Sequence, residues 1–133
     1  MNHYQSKIAE IKARIYANQN QLDTVIALRK DIDAHFDLDL NLDRLAQHHF
    51  VSKFHLLRLF KQYYGQTPKQ YLTDVRLKRS KELLQQGTSV TETCFAVGFE
   101  SLGSFSSLFK TRNGIPPAKY QKEQLSRSKE SKE

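Results

Sequence analysis

Cysteine is almost missing. Cys94 is the single one in 133 residues, which excludes an intramolecular disulfide framework and fits a reducing, cytoplasmic setting. Its apolar helical surroundings mark it as a buried structural thiol, not a nucleophile. Glycine (5) and proline (3) are scarce, and no segment alternates apolar and polar residues as a half-buried strand does. An all-α fold is expected. No stretch resembles a signal-peptide apolar region, and none is long enough to span a bilayer. No nucleophile–base pattern and no glycine-rich phosphate loop is visible. His48, His49 and His55 lie close in sequence, yet no cysteine or paired carboxylate completes a tetrahedral zinc set. The expectation is a non-enzyme without metal or cofactor.

Positive charge is present in excess. Lys plus Arg number 21 against 14 Asp plus Glu, for a net charge of +7. The excess is unevenly placed. Residues 1–43 carry 5 basic and 7 acidic side chains, net −2, and residues 44–133 carry 16 and 7, net +9. A basic field over the second region suits a polyanion, above all nucleic acid. At 38% apolar content, the chain can bury the core of one domain or of two very small ones.

The basic region contains an internal repeat. With a shift of 49 residues, eight positions coincide: Phe50/Phe99, Ser52/Ser101, Leu59/Leu108, Phe60/Phe109, Lys61/Lys110, Gly65/Gly114, Pro68/Pro117 and Tyr71/Tyr120. Stepped at about 100° per residue, the first copy places His55, Leu56, Leu59, Phe60 and Tyr63 on a core face. Lys53, Phe54, Leu57, Arg58, Lys61 and Gln62 fall on the other face. Ser52 stands where an N-cap accepts a bond from an orphan backbone N–H, and Gly65 where the helix ends. The second copy repeats this, with Ser101 as cap and Gly114 as stop. Phe105, Leu108, Phe109 and Leu102 cluster on one side, Gly103, Ser106, Ser107, Lys110 and Thr111 on the other.

Taken in order, residues 1–20 read as an N-terminal extension with Ile8, Ile11 and Ile15 on one helical face. Asn18-Gln19-Asn20-Gln21 is expected to break the helix, with Asn20 capping a second one to about Phe36. A 3-4 spacing through Ile8, Ile11, Ile15, Asn18, Leu22, Val25, Arg29, Ile32 and Phe36 offers a coiled-coil seam for a dimer. Asn18 and Arg29 interrupt it, so two separate helices packed on the chain's own domain are favoured; a monomer is favoured because both copies of the repeated helix already sit in one chain. Asn41 caps a short helix from Leu42 to about Gln47. A tight turn then leads into the first repeated helix, the order of a helix-turn-helix unit. The expected division is 21–66 for the first such subdomain, 67–87 for a linker helix opened by Thr67-Pro68, and 88–123 for a second subdomain whose short helix Ser89 caps. Residues 124–133 are expected to be a disordered polar tail. A linker of about 20 residues would span roughly 30 Å, close to the roughly 34 Å of one turn of B-DNA.

These residues resemble the DNA-binding domain of the AraC/XylS family of bacterial transcription regulators. The likeness covers about residues 22–121. It rests on Leu45-Ala46, Ser52 through Lys61, Gly65-Gln66-Thr67-Pro68 and Tyr71. A more specific half follows: Ala96-Val97-Gly98-Phe99-Glu100-Ser101, Phe105 through Lys110, Gly114-Ile115-Pro116-Pro117 and Tyr120. The resemblance implies about seven helices forming two helix-turn-helix subdomains bridged by a long helix, here with an extra N-terminal helix. It implies promoter binding and activation through contact with RNA polymerase. Most members attach an effector-binding domain; none is visible here, so a stand-alone member or the DNA-binding portion of a longer regulator is expected. Three positions depart from the family pattern. Ser107 stands where Arg is frequent, Leu57 where polar residues are frequent, and Asn113 where a large apolar residue often ends the helix.

The expected duplex contacts in the first half-site are Ser52, Lys53, Phe54, Leu57, Arg58, Lys61 and Gln62. In the second they are Ser101, Leu102, Gly103, Ser104, Ser106, Ser107, Lys110 and Thr111. Arg58 suits bidentate pairing with guanine, and Phe54 and Leu57 suit thymine methyls. Lys61 and Lys110 suit phosphates, and the two capping serines place helix N-termini near phosphates. The rival reading is a basic helical protein-interaction module with non-specific nucleic-acid affinity, which leaves the duplicated basic faces without a purpose.

Overall fold

A computed structural model describes residues 2–131. Among them are seven α-helices: α1 (His3–Ala34), α2 (Leu42–His48), α3 (Lys53–Tyr64), α4 (Pro68–Gln85), α5 (Val90–Ala96), α6 (Leu102–Asn113) and α7 (Pro117–Ser131). They fall into two compact units. The first comprises residues 1–34 and 41–70, the second residues 35–40 and 71–133.

The punctuation of the helices follows local chemistry. Asn41 and Ser89 cap α2 and α5 by accepting from the N–H groups of Arg44 and Glu92. Thr67 and Gln70 exchange bonds across the start of α4, Gln70 N–H to Thr67 Oγ1 at 3.2 Å and Thr67 N–H to Gln70 Oε1 at 2.9 Å. This reciprocal pair satisfies two orphan donors. Pro68 and Pro117 each occupy the first position of a helix, where the absent N–H costs nothing.

In the first unit the buried residues are Val25, Leu28 and Ile32 of α1, Ala46 of α2, Leu56, Leu59 and Phe60 of α3, and Pro68. All of the α1 contribution comes from its C-terminal third. The segment 9–20 is exposed throughout, Ile11 and Ile15 included. Two expectations are corrected here. The helix does not break at Asn18–Gln21, since α1 runs unbroken from His3 to Ala34. Nor does its N-terminal half pack on its own domain. The asparagines cost only a fraction of a kcal/mol each in a helix interior, and neither glycine nor proline occurs between residues 3 and 34. Asn20, expected as a cap, is an interior residue whose carbonyl accepts from Thr24 Oγ1 at 3.0 Å.

The second unit buries one cluster: Leu77 and Leu84 of α4, Cys94 of α5, Val97 and Phe99 of the following turn, Phe105 and Phe109 of α6, and Tyr120 of α7. Its aromatic rings form a relay, with Phe99–Phe105, Phe105–Phe109 and Phe109–Tyr120 centroids 5.3, 5.8 and 5.3 Å apart. Such spacings suit tilted and edge-to-face pairs. Burial pushes the Cys94 thiol above its usual pKa, keeping it in the unreactive thiol form. Arg76 fastens residues 35–40 into this unit. Its Nε and Nη2 donate to the carbonyls of Phe36 (2.7 Å) and Leu38 (2.9 Å), and its guanidinium lies 5.7 Å from the Phe99 ring centroid. Burial lowers the Arg76 pKa, and Asp39, Asp37 and Glu100 oppose that shift.

The expected tail is also corrected. Helix α7 continues to Ser131; residues 132 and 133 lie outside the described residues. Its sequence is rich in good helix formers, and Glu123 precedes Arg127 by four positions, the favourable orientation for an ion pair along a helix.

Candidate nucleic-acid interface

The repeat seen in the sequence becomes a matched pair of helices, α3 and α6, each of 12 residues. Ser52 Oγ accepts from His55 N–H and Ser101 Oγ from Ser104 N–H, both at 3.1 Å. At the far ends Gly65 and Gly114 adopt left-handed conformations, and their N–H groups reach the carbonyls of Lys61 and Lys110. Phe60 and Phe109 are fully buried equivalents.

One identity does not survive as a structural equivalence. After α2 the chain runs His49, Phe50, Val51, Ser52. After α5 it runs Val97, Gly98, Phe99, Glu100, Ser101, one residue longer. The N–H of Val51 bonds to the Ala46 carbonyl at 3.0 Å and that of Phe99 to the Cys94 carbonyl at 3.1 Å. These are the same helix-terminating bond. Val51 therefore corresponds to Phe99, and Phe50 to Gly98. Both Phe50 and Gly98 have positive φ, 57° and 101°. Phe99 is buried in the core, whereas Phe50 is 95% exposed.

The outer face of α3 carries the first set of expected contacts. Phe54 is 71% exposed. Arg58, Lys61 and Gln62 are exposed, and Lys53 and Leu57 are half-buried. Lys53 Nζ lies 5.7 Å from the Phe54 ring centroid and 3.7 Å from Asp43 Oδ1. That ion pair is solvent-exposed and worth little, leaving the ammonium available to a phosphate. Tyr63, expected on the core face, lies in the last turn of α3 and is 38% exposed.

The outer face of α6 is smaller and less charged. Leu102, Gly103, Ser104, Ser107, Lys110 and Thr111 are exposed, and Ser106 is half-buried. A Cβ on Gly103 would meet nothing within 4 Å, so its smoothness reflects no packing need inside the unit. Thr111 Oγ1 donates to the Ser107 carbonyl at 2.9 Å, turning that hydroxyl toward its own helix. Arg112 is engaged by Asp74 of α4 at 2.7 Å.

The arrangement can neutralise phosphates and present side chains to base edges. His49 Nε2 lies 3.4 Å from Asp31 Oδ2 and packs edge-on against His48, which ties the end of α2 to α1. Among the described residues no helix is long and apolar enough to cross a membrane.

A family model described as a helix-turn-helix domain matches residues 45–123. The HTH-type transcriptional regulators ArgR and GbdR of Pseudomonas aeruginosa are 32% and 34% identical to the chain. Each alignment covers 108 residues, 80% of this chain, and 32% and 29% of those proteins. The chain thus spans about a third of the length of these curated relatives. An AraC-type DNA-binding domain protein from Chromobacterium violaceum superimposes with a TM-score of 0.67 at 33% identity, over 82% of this chain and 96% of that one. The DNA-binding domain of AdpA, solved with a target DNA, shares the fold with a TM-score of 0.72 at 24% identity, over 77% of this chain and 94% of that one.

Proposed function

From the premise that the chain belongs to the AraC-type helix-turn-helix family of transcription regulators, we propose that it binds promoter DNA by placing α3 and α6 in major grooves. The observation that carries the reading is the paired design of those helices, each capped by serine, stopped by a left-handed glycine and buried on one face only. Lys53, Phe54, Leu57, Arg58 and Gln62 meet base edges in one half-site, with Arg58 bidentate to a guanine. Leu102, Gly103, Ser104, Ser106, Ser107 and Thr111 face the other. Lys61 and Lys110 hold phosphates, as do the N–H groups beside Ser52 and Ser101. Activation through contact with RNA polymerase is the mode that family membership favours. The chain binds as a monomer. Two candidate recognition helices, α3 and α6, already sit in one chain, so one copy suffices for two half-sites.

The test is selection of bound sequences from a random duplex pool at one fixed, near-physiological salt concentration. Two enriched blocks about one helical turn apart are expected. The Arg58→Ala variant is expected to lose base preference at one position, by about 1–3 kcal/mol of discrimination. Lys61→Ala is expected to leave preference intact and reduce the salt slope by about 1. Binding without enrichment, lost steeply as salt rises, would favour the interaction-module reading with non-specific affinity.

A further inference from the structure

Phe50 is an anomaly by three independent measures. Its φ of 57° is the single positive value at a non-glycine among the described residues. A left-handed backbone is strained for an L-residue, because its Cβ crowds the following carbonyl oxygen. Its side chain, 95% exposed, recovers almost none of that by burial. Its counterpart in the second unit is glycine, Gly98, the residue such a turn favours. Glycine at position 50 would relieve the backbone and remove an exposed aromatic ring together. Nothing within the fold rewards phenylalanine there, so its reward lies outside the fold.

The position says where. Phe50 stands two residues before the Ser52 cap of α3 and four before Phe54, the other large exposed apolar residue of this region. Lys53 lies beside the Phe54 ring, and Arg58 and Lys61 continue the same exposed face. The apolar pair therefore flanks the end of the helix that leads into DNA. Lys53, Arg58 and Lys61 stand beside the apolar Phe54 and Leu57 on this face, a mixture that suits a polyanion that also offers apolar groups, the thymine methyls lining the major groove.

We propose that Phe50 is an additional sequence-reading residue, packing on a thymine methyl at the rim of the first half-site beside the position read by Phe54. The inference rests on the DNA-binding reading above and adds a contact from the turn to those from the helix. Its signature is opposed signs. Phe50→Gly stabilises the protein and weakens its binding.

The experiment compares wild type with Phe50→Gly and Phe50→Leu on the duplex enriched by selection, and on copies in which each thymine in turn is replaced by deoxyuridine, which lacks only the methyl. Phe50→Gly is expected to raise the Tm by about 2–5 °C and to weaken binding at least about tenfold. Removing one thymine methyl should weaken wild type but leave Phe50→Gly unchanged, and Phe50→Leu should keep part of the contact. If Phe50→Gly binds as wild type does, and no thymine methyl distinguishes the two, the proposal is overturned and the ring serves a protein partner instead. If the wild type enriches no sequence at all, the DNA-reading assignment itself fails, a result separable from failure of Phe50 alone.

Discussion

The turn entering α3 and the turn entering α6 solve one geometric problem in two ways. Both end a seven-residue helix with the same backbone bond, both pass through a residue of positive φ, and both reach a serine cap. The second turn faces inward. A Cβ on Gly98 would lie 3.0 Å from Asp37 Cα and 3.0 Å from the Arg76 guanidinium, and Phe99 fills the core. The first turn puts the smaller Val51 in the corresponding place and leaves Phe50 in solvent. The outer faces differ in the same sense, with aromatic, cationic and amide side chains on α3, and serines, a glycine and a threonine beside Leu102 and Lys110 on α6. The first turn leaves its aromatic ring in solvent, and the second packs its ring into the core. The two copies share their helix ends, which backbone chemistry dictates, and differ in the surfaces between them.

The largest way to break this comparison is Gly98→Ala. An alanine there combines left-handed strain with a Cβ pressed against backbone, for a cost of about 2–4 kcal/mol. Phe50→Ala keeps the same backbone geometry and removes only an exposed ring, so its effect is expected within about 0.5 kcal/mol. Denaturant unfolding of the two variants measures the contrast. Equal losses would mean that the two turns are packed alike.

A smaller effect sharpens the difference between the reading faces. Ser107 is exposed, and its carbonyl accepts from Thr111 Oγ1. Ser107→Arg therefore breaks no side-chain bond, and arginine is the better helix former. The variant is expected to gain guanine preference in the second half-site, worth about 1–3 kcal/mol. Selection from a random pool reads it out. An unchanged second block would show that α6 does not approach base edges at this position.

Much of this architecture was legible because it is local. Asn41, Ser52, Ser89 and Ser101 cap helices for a reason contained within three residues, and Gly65 and Gly114 stop them by a rule as short. The buried Leu56, Leu59 and Phe60 of α3 and Phe105 and Phe109 of α6 followed from a period of 3.6, whereas Tyr63 and Leu102, assigned to the same sides, are exposed at the helix ends. The misreadings arose where local weakness was mistaken for a boundary. The Asn18–Gln21 stretch is a poor helix former, yet continuity on both sides carries α1 through it, because nucleating a new helix costs more than extending an existing one. The charged tail after Gln124 likewise extends a helix already nucleated at Pro117. Phe50 was hidden by its apparent identity with Phe99. An extra residue, Glu100, shifts the pairing by one inside the turn, and the hydrogen bonds of Val51 and Phe99 and the positive φ of Phe50 and Gly98 reveal it.

The smallest expected effect tests how far the likeness of the two copies extends. Ser52 and Ser101 accept cap bonds of the same 3.1 Å length from exposed positions. Ser52→Ala and Ser101→Ala should each cost about 1 kcal/mol of stability, and the glycine variants only a few tenths. Alanine leaves an N–H of the first turn without its partner, while glycine lets water reach it. These stability losses should match, since each depends on one bond in one turn. Their consequences for binding should match as well if both helix N-termini lie against phosphates, because loosening either first turn blurs the N–H groups aimed at the anion. Binding isotherms at one salt concentration decide the matter. A loss confined to Ser52→Ala would mean that α6 does not rest its end on the backbone, and the difference between the two copies would then reach the caps themselves.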